Sequence, residues 1–311
     1  MSKDKRLLKL NLQNHAQTGV NAAETGLNGD ASQVESKAKD IDFVNVFGGN
    51  INKFLEVLGV YRKLPLQSGT AIKTYKSSVT LDNTEVEPGE IIPLSETKME
   101  PAETYEVVWS KKRKATPVET IQRFGYDEAV NITDTLLIRE LQKEVRQKLI
   151  DNLATGTKTD TADGLQEALA KGWGHVNTIF EDDGVDTIAF INTLDASEYL
   201  AEKDITIQSE FGLNYIENFL GVSIAIITSL VPKGTVYLTA SDNLVLAYPI
   251  INGGEIGRGF DFYTDESGLI GVTHDINKQR LTAETITLSG AVLFAERLDG
   301  IVKVEIGTPG V

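Results

Sequence analysis

The stretch from Tyr126 to Leu153 runs without a proline or glycine and carries Ile132, Leu136, Leu137, Leu141, Val145, Leu149 and Leu153 as one apolar stripe. Spacings of four residues keep such side chains on one face of an α-helix, so the segment predicts a long amphipathic helix. Asn131 or Thr133 can cap it, and Gly156 stops it. At 1.5 Å per residue it spans roughly 40 Å, the width of a whole domain. A helix of that length with one apolar face needs a surface of its own size to lie on. We read it as a scaffold helix over a β-sheet.

The flanking segments supply the sheet. Ala71–Leu81 is β-rich, and Thr104–Ser110 reads as a second strand with Tyr105, Val107 and Trp109 on one face. Pro88-Gly89, Pro93 and Pro101 punctuate the connection, which is too polar for a core and longer than an ordinary loop. We read a projecting two-stranded arm. Its charge is lopsided: from Asp82 to Glu106 there are eight acids against Lys98 alone, a net of −7, and Lys111, Lys112, Arg113 and Lys114 follow at once. One reading is a solvated surface. The sharper one is a contact between copies, with Glu100 and Glu103 of one acidic arm against the basic stem Lys111–Lys114 of another.

Beyond Thr157 short helices and strands alternate. Leu165–Lys171, Ala196–Lys203 and Tyr215–Leu220 read as helices, and Thr187–Asn192, Val222–Ile227 and Thr235–Thr239 as strands, which makes an α/β unit up to about Gly257. Phe260–Ile306 is β-rich again and is expected to return beneath the long helix, leaving the α/β unit as an insertion. At the other end, Asn52–Gly59 places Phe54, Leu55 and Leu58 on a helical face, and order is expected to begin near Ile41. Ala16–Asp40 holds no aromatic residue and reads as a mobile or partner-ordered arm. The only apolar block ahead of it, Leu7, Leu8, Leu10 and Leu12, is broken by Lys9 and Asn11, unlike a secretory signal.

Composition narrows the functions. A net charge of −15 argues against general nucleic-acid binding, and the absence of cysteine removes disulfides, thiolate metal sites and cysteine nucleophiles. No apolar run approaches the ~18 residues of a membrane span. His15, His175 and His274 lie far apart in sequence with no zinc-ligand spacing, and His274 beside Asp275 reads as a surface histidine. Gly253–Gly259 lacks the order of a phosphate-binding glycine motif and reads as a flexible loop. Trp109 and Trp173 read as core or interface anchors. Nothing requires catalysis, a metal or a cofactor.

The order of these segments resembles the major capsid proteins of tailed bacteriophages, whose fold is shared with encapsulins. Leu8–Gln13 looks like the opening of such head proteins, Phe124–Val130 with Leu153–Gly156 resembles their spine-helix region, and Leu220–Tyr237 resembles the strand–turn–strand of their axial lobe. The resemblance implies an α+β fold with a flexible N-arm (1–40), a linking helix region (41–66), an extended two-stranded loop (67–114), a peripheral domain with the spine helix (115–156 and 258–311) and an inserted axial domain (157–257). It implies a non-enzymatic subunit forming hexamers and pentamers of an icosahedral virion shell, assembled in the host cytoplasm around double-stranded DNA without sequence-specific binding. A separate scaffolding protein and a portal protein are the other implied partners. Arg6 and Lys9 are then arm residues that contact a neighbouring subunit. An encapsulin-like nanocompartment shell is the alternative, and an α/β enzyme using carboxylates of the 157–257 unit is a more distant one.

Overall fold

The computed structural model describes residues 31–80, 91, 94, 96–180, 184–201, 207–210, 213–251 and 255–307. The chain enters through helix α1 (Ala31–Val57), passes a short strand β1 (Lys63–Leu66), and rises into a hairpin of β2 (Thr70–Thr80) and β3 (Glu96–Val107). Strand β4 (Ser110–Pro117) and a short helix α2 (Val118–Phe124) lead into the long helix α3 (Tyr126–Leu153). Gly125 separates the two helices at φ 84°, a left-handed conformation that favours glycine.

Helix α3 has the predicted length, but its start and buried face differ from the expected ones. Its N-cap is Gly125, with no side-chain cap, so neither Asn131 nor Thr133 serves. The buried face runs through Val130, Asp134, Ile138, Leu141, Val145 and Leu149, whereas Ile132 and Leu136 are exposed. In the first three turns a buried carboxylate takes the place of an apolar residue, which pattern-matching on leucine and isoleucine does not register.

Strand β5 (Lys158–Ala162), helix α4 (Leu165–Ile179), β6 (Thr187–Ile191), α5 (Thr193–Leu200), β7 (Gln208–Glu210), β8 (Leu213–Phe219), β9 (Val222–Ile227), β10 (Thr235–Ala240) and β11 (Leu244–Pro249) follow. A short helix α6 (Glu255–Gly259) precedes β12 (Ile270–Asn277), β13 (Thr282–Ser289), β14 (Val292–Ala295) and β15 (Ile301–Ile306). Seven strands form one sheet in the order β5-β15-β10-β6-β9-β8-β7. Its centre, β6 and β10, is buried at every residue, as expected of strands covered on both faces. Gly172 of α4 lets that helix sit directly on β10: a Cβ there would lie 2.2 Å from Leu238 Cδ1. Two three-stranded sheets, β1-β11-β14 and β12-β13-β4, complete the body, and β2-β3 stands apart as a two-stranded ladder.

Three expectations are corrected here. The segment Tyr215–Leu220 is strand β8, paired antiparallel with β9, and is not helical; the β-branched run after it supplies the partner. The returning segment divides: β12, β13 and β14 join the sheets beside α1 and α3, but β15 crosses into the seven-stranded sheet between β5 and β10. Order begins well before Ile41, because residues 31–40 are the first turns of α1. Phe43, Val44, Phe47, Ile51, Phe54, Leu55 and Leu58 are buried in one core with Leu149, Leu153 and Ile270. Each such side chain contributes about 1.5–3 kcal/mol of transfer free energy, so α1 belongs to the body. No helix among the described residues is long and apolar enough to cross a membrane.

Candidate assembly surfaces and a buried charge clasp

Strand alternation decides what the basic stem does. In β4, Lys112 and Lys114 point to the side of α3 while Arg113 points the other way. Lys112 Nζ lies 3.0 Å from Glu144 Oε2, and Lys114 Nζ donates to Thr133 Oγ1 at 2.8 Å and to Asp134. Arg113 forms a two-pronged pair with Glu284 on β13, with Nε 2.9 Å from Oε2. Three of the four basic groups are therefore answered inside their own chain, and only Lys111 has no ion pair among the described residues. The carboxylates that meet this stem within the chain come from α3 and β13. Arg6 and Lys9 lie outside the described residues. Glu100 and Glu103 are in β3, where Glu100 pairs in register with Lys76, and their side chains are likewise outside the description.

The hairpin itself is as expected in kind. β2 and β3 pair antiparallel from Thr70↔Val107 to Thr80↔Glu96, with one irregularity between Lys73 and Tyr75. Its root is anchored: Val107 is buried with Phe294, Ile72 and Tyr105 pack against that cluster, and the Tyr105 hydroxyl accepts a 2.6 Å hydrogen bond from Asn152 Nδ2 of α3. The second strand starts earlier than the sequence indicated and stops at Val107, so Trp109 falls in the junction to β4.

Beneath the stem lies a buried charge cluster that the sequence did not reveal. His274 of β12 bonds Asp40 Oδ1 of α1 through Nδ1 at 2.6 Å and Asp134 Oδ2 of α3 through Nε2 at 3.0 Å. Asp134 Oδ1 also accepts from Lys114 of β4 and from Thr285 Oγ1 of β13 at 2.9 Å. Phe43 stands edge-on to the imidazole, with ring centroids 6.4 Å apart. His274 is thus not a surface histidine; it is buried, and the signal lay in pairing across 234 and 140 positions of sequence, which no local pattern encodes.

The electrostatics follow from burial and pairing. Burial alone would lower the His274 pKa, but hydrogen bonds and charge from Asp134 and Asp40 outweigh it and hold it above the ordinary 6.5. Burial would raise Asp134, yet His274 and Lys114 carry it below the carboxylate range. Asp40 goes the other way, raised by burial that His274 only partly offsets. Lys114 is lowered by burial, with Asp134 offsetting part. With both ring nitrogens engaged by carboxylates, His274 has no nitrogen free to serve a nucleophile. The cluster is a clasp between α1, α3, β4, β12 and β13.

The sign of its pH dependence is set by these directions. A histidine raised on folding contributes stability that is complete below about pH 6.5 and is lost as pH rises through its folded value. The depressed Asp134 contributes above the ordinary carboxylate value of 3.8 and loses that as pH falls through its folded pKa, while the raised Asp40 opposes this on the acid side. Lys114, lowered on folding, opposes the histidine as pH rises through the lysine's own folded pKa. We expect the histidine's share to show as a fall in melting temperature just above neutral pH that His274→Gln removes. Superimposable pH profiles for the two proteins would contradict the clasp.

No family model matches the chain, and no curated protein matches its sequence. Solved structures do match. An encapsulin complex from Synechococcus elongatus aligns at 13% identity and TM-score 0.52 over 81% of this chain and 86% of that one. The capsid of an empty GTA particle aligns at 10% identity and TM-score 0.51 over 80% and 88%. The mature capsid of bacteriophage PhiM1 aligns more loosely, at 10% identity and TM-score 0.48 over 79% and 85%. At such identities the likeness is one of fold: the chain has the mixed α+β fold of phage-type capsid proteins and encapsulins.

Proposed function

We propose that this chain is the major capsid protein of a tailed-phage-type head, self-assembling as hexamers and pentamers into an icosahedral shell around double-stranded DNA. The observation that carries the reading is the β2–β3 hairpin. A two-stranded ladder is marginal in water by itself, and among the described side chains Ile72, Tyr105 and Val107 at its root pack on a core. In a shell, the cover for the rest of the ladder is a neighbouring copy. The fold likeness to shell-forming proteins supports the same reading. The division into N-arm, hairpin, spine-helix unit and α/β unit belongs to this proposal, as do the virion location, assembly in the host cytoplasm, and the scaffolding and portal partners. The enzyme reading draws no support from the buried histidine, whose nitrogens are both occupied.

A nanocompartment shell is the second reading, and α1 bears on it: residues 31–40, expected to belong to a flexible arm, are helical. Purified full-length protein, imaged by negative stain, is expected to show rings, sheets or closed particles. Nucleic acid inside particles made in infected or prophage-bearing cells identifies a head, and packaged protein identifies a compartment. A monodisperse monomer at every concentration and salt, with or without the genes neighbouring its own, would overturn both.

A further inference from the structure

Basic groups are scarce in this chain, 30 against 45 acids, and most of those near α3 are paired: Lys39 with Asp127, Lys112 and Lys148 with Glu144, Lys114 with Asp134. Three on the same helix, Arg139, Lys143 and Arg146, are not. Lys143 and Arg146 have no ion pair among the described residues, although Arg146 is half-buried. They line a notch of about 220 Å³ where α3 meets the seven-stranded sheet. The other polar lining residues are Thr193, Asn214, Thr228 and Ser229, and no carboxylate lines it. Thr193 is the first residue of α5, so the positive end of that helix's dipole lies at the notch. The Thr228 hydroxyl accepts from the Leu230 amide at 3.3 Å and keeps its own hydrogen to give. Behind the guanidinium, Phe54, Leu149, Phe190 and Ile226 form an apolar wall. Burial against it pulls the Arg146 pKa below its ordinary value, the mark of a charge that has lost water without gaining a counter-ion.

We propose that this notch binds a phosphate-class oxyanion, with the Arg146 guanidinium and the Lys143 ammonium as its cations and the threonine, serine and asparagine side chains as neutral donors. Phosphate suits it better than carboxylate because the lining offers donors for three or four oxygens, not two. The source is either free phosphate or a phosphodiester of enclosed nucleic acid. A net charge of −15 disfavours broad contact with a polyanion, so contact with DNA would be confined to single phosphates at such notches. The phosphodiester source rests on the shell reading, whereas the free-phosphate source does not.

The probe is inorganic phosphate, titrated against sodium chloride of equal ionic strength on the full chain. Phosphate at about ten times Kd is expected to raise the melting temperature by on the order of 2–4 °C beyond chloride and to broaden the phosphorus NMR line. Arg146→Ala should abolish both effects. Lys143→Ala, an exposed change that leaves the fold alone, should weaken them several-fold, and Arg146→Lys should restore part. A short duplex DNA that displaces phosphate, with affinity falling in Arg146→Ala, identifies a phosphodiester as the source; failure to displace identifies free phosphate. Equal responses to phosphate and chloride, an undiminished response in Lys143→Ala and Arg146→Ala, or acetate acting as strongly as phosphate would each overturn the assignment.

Discussion

Asp134→Ala is expected to cost about 3–5 kcal/mol of folding stability, the usual result of leaving buried charges without their partner. Asp134 is the one carboxylate shared by His274, Lys114 and Thr285, so its loss leaves the imidazole with Asp40 alone and the buried ammonium without a carboxylate. For a chain of this size that is a fall in melting temperature on the order of 10 °C. Asp134→Asn keeps the shape and one acceptor and should cost less, while lowering the His274 pKa measured by NMR. A loss under about 1 kcal/mol for Asp134→Ala, determined by denaturant unfolding, would show that the clasp is only a solvated ion pair.

The second large effect concerns the hairpin. Removing residues 76–100 and joining Tyr75 to Pro101, which face each other in register, through an Asn-Gly turn leaves the anchored root intact. Ile72, Tyr105 and Val107 keep their places against Phe294, so cooperative melting should persist. Closed particles should disappear, because on the shell reading the removed ladder is held by a neighbouring copy. Normal particles from the shortened chain would remove the observation on which the shell reading rests, whereas loss of folding would show that the outer hairpin is part of the core.

What could be read in the sequence follows the range of the interactions. Helix α3, the β2–β3 ladder and the buried strands β6, β9 and β10 announce themselves through apolar period and turn residues that are local. The end of helix α1, from Asn52, is legible in the same way, but its earlier turns are not, because the turn around Lys39 and Asp40 is held by polar partners, Asp127 and His274, remote in sequence. Residues 215–220 were misread because Tyr215, Ile216, Phe219 and Leu220 satisfy a helical spacing as well as a strand between covered neighbours. The basic run Lys111–Lys114 was legible as charge, but charge alone does not say where the opposite sign will fold. Its partners Glu144 and Asp134 lie on the far side of a turn, and Glu284 comes from a strand 171 residues away from Arg113.

The position of β15 bears on when a subunit becomes a subunit. Ile301–Ile306 fills the gap between β10 and β5, and β5 has no other strand to hold it. On the ribosome, β5 and β10 therefore stay unjoined until Ile301–Ile306 has been made, some 140 residues after β5. Strand order thus ties completion of this sheet to a segment far downstream of the strand it holds.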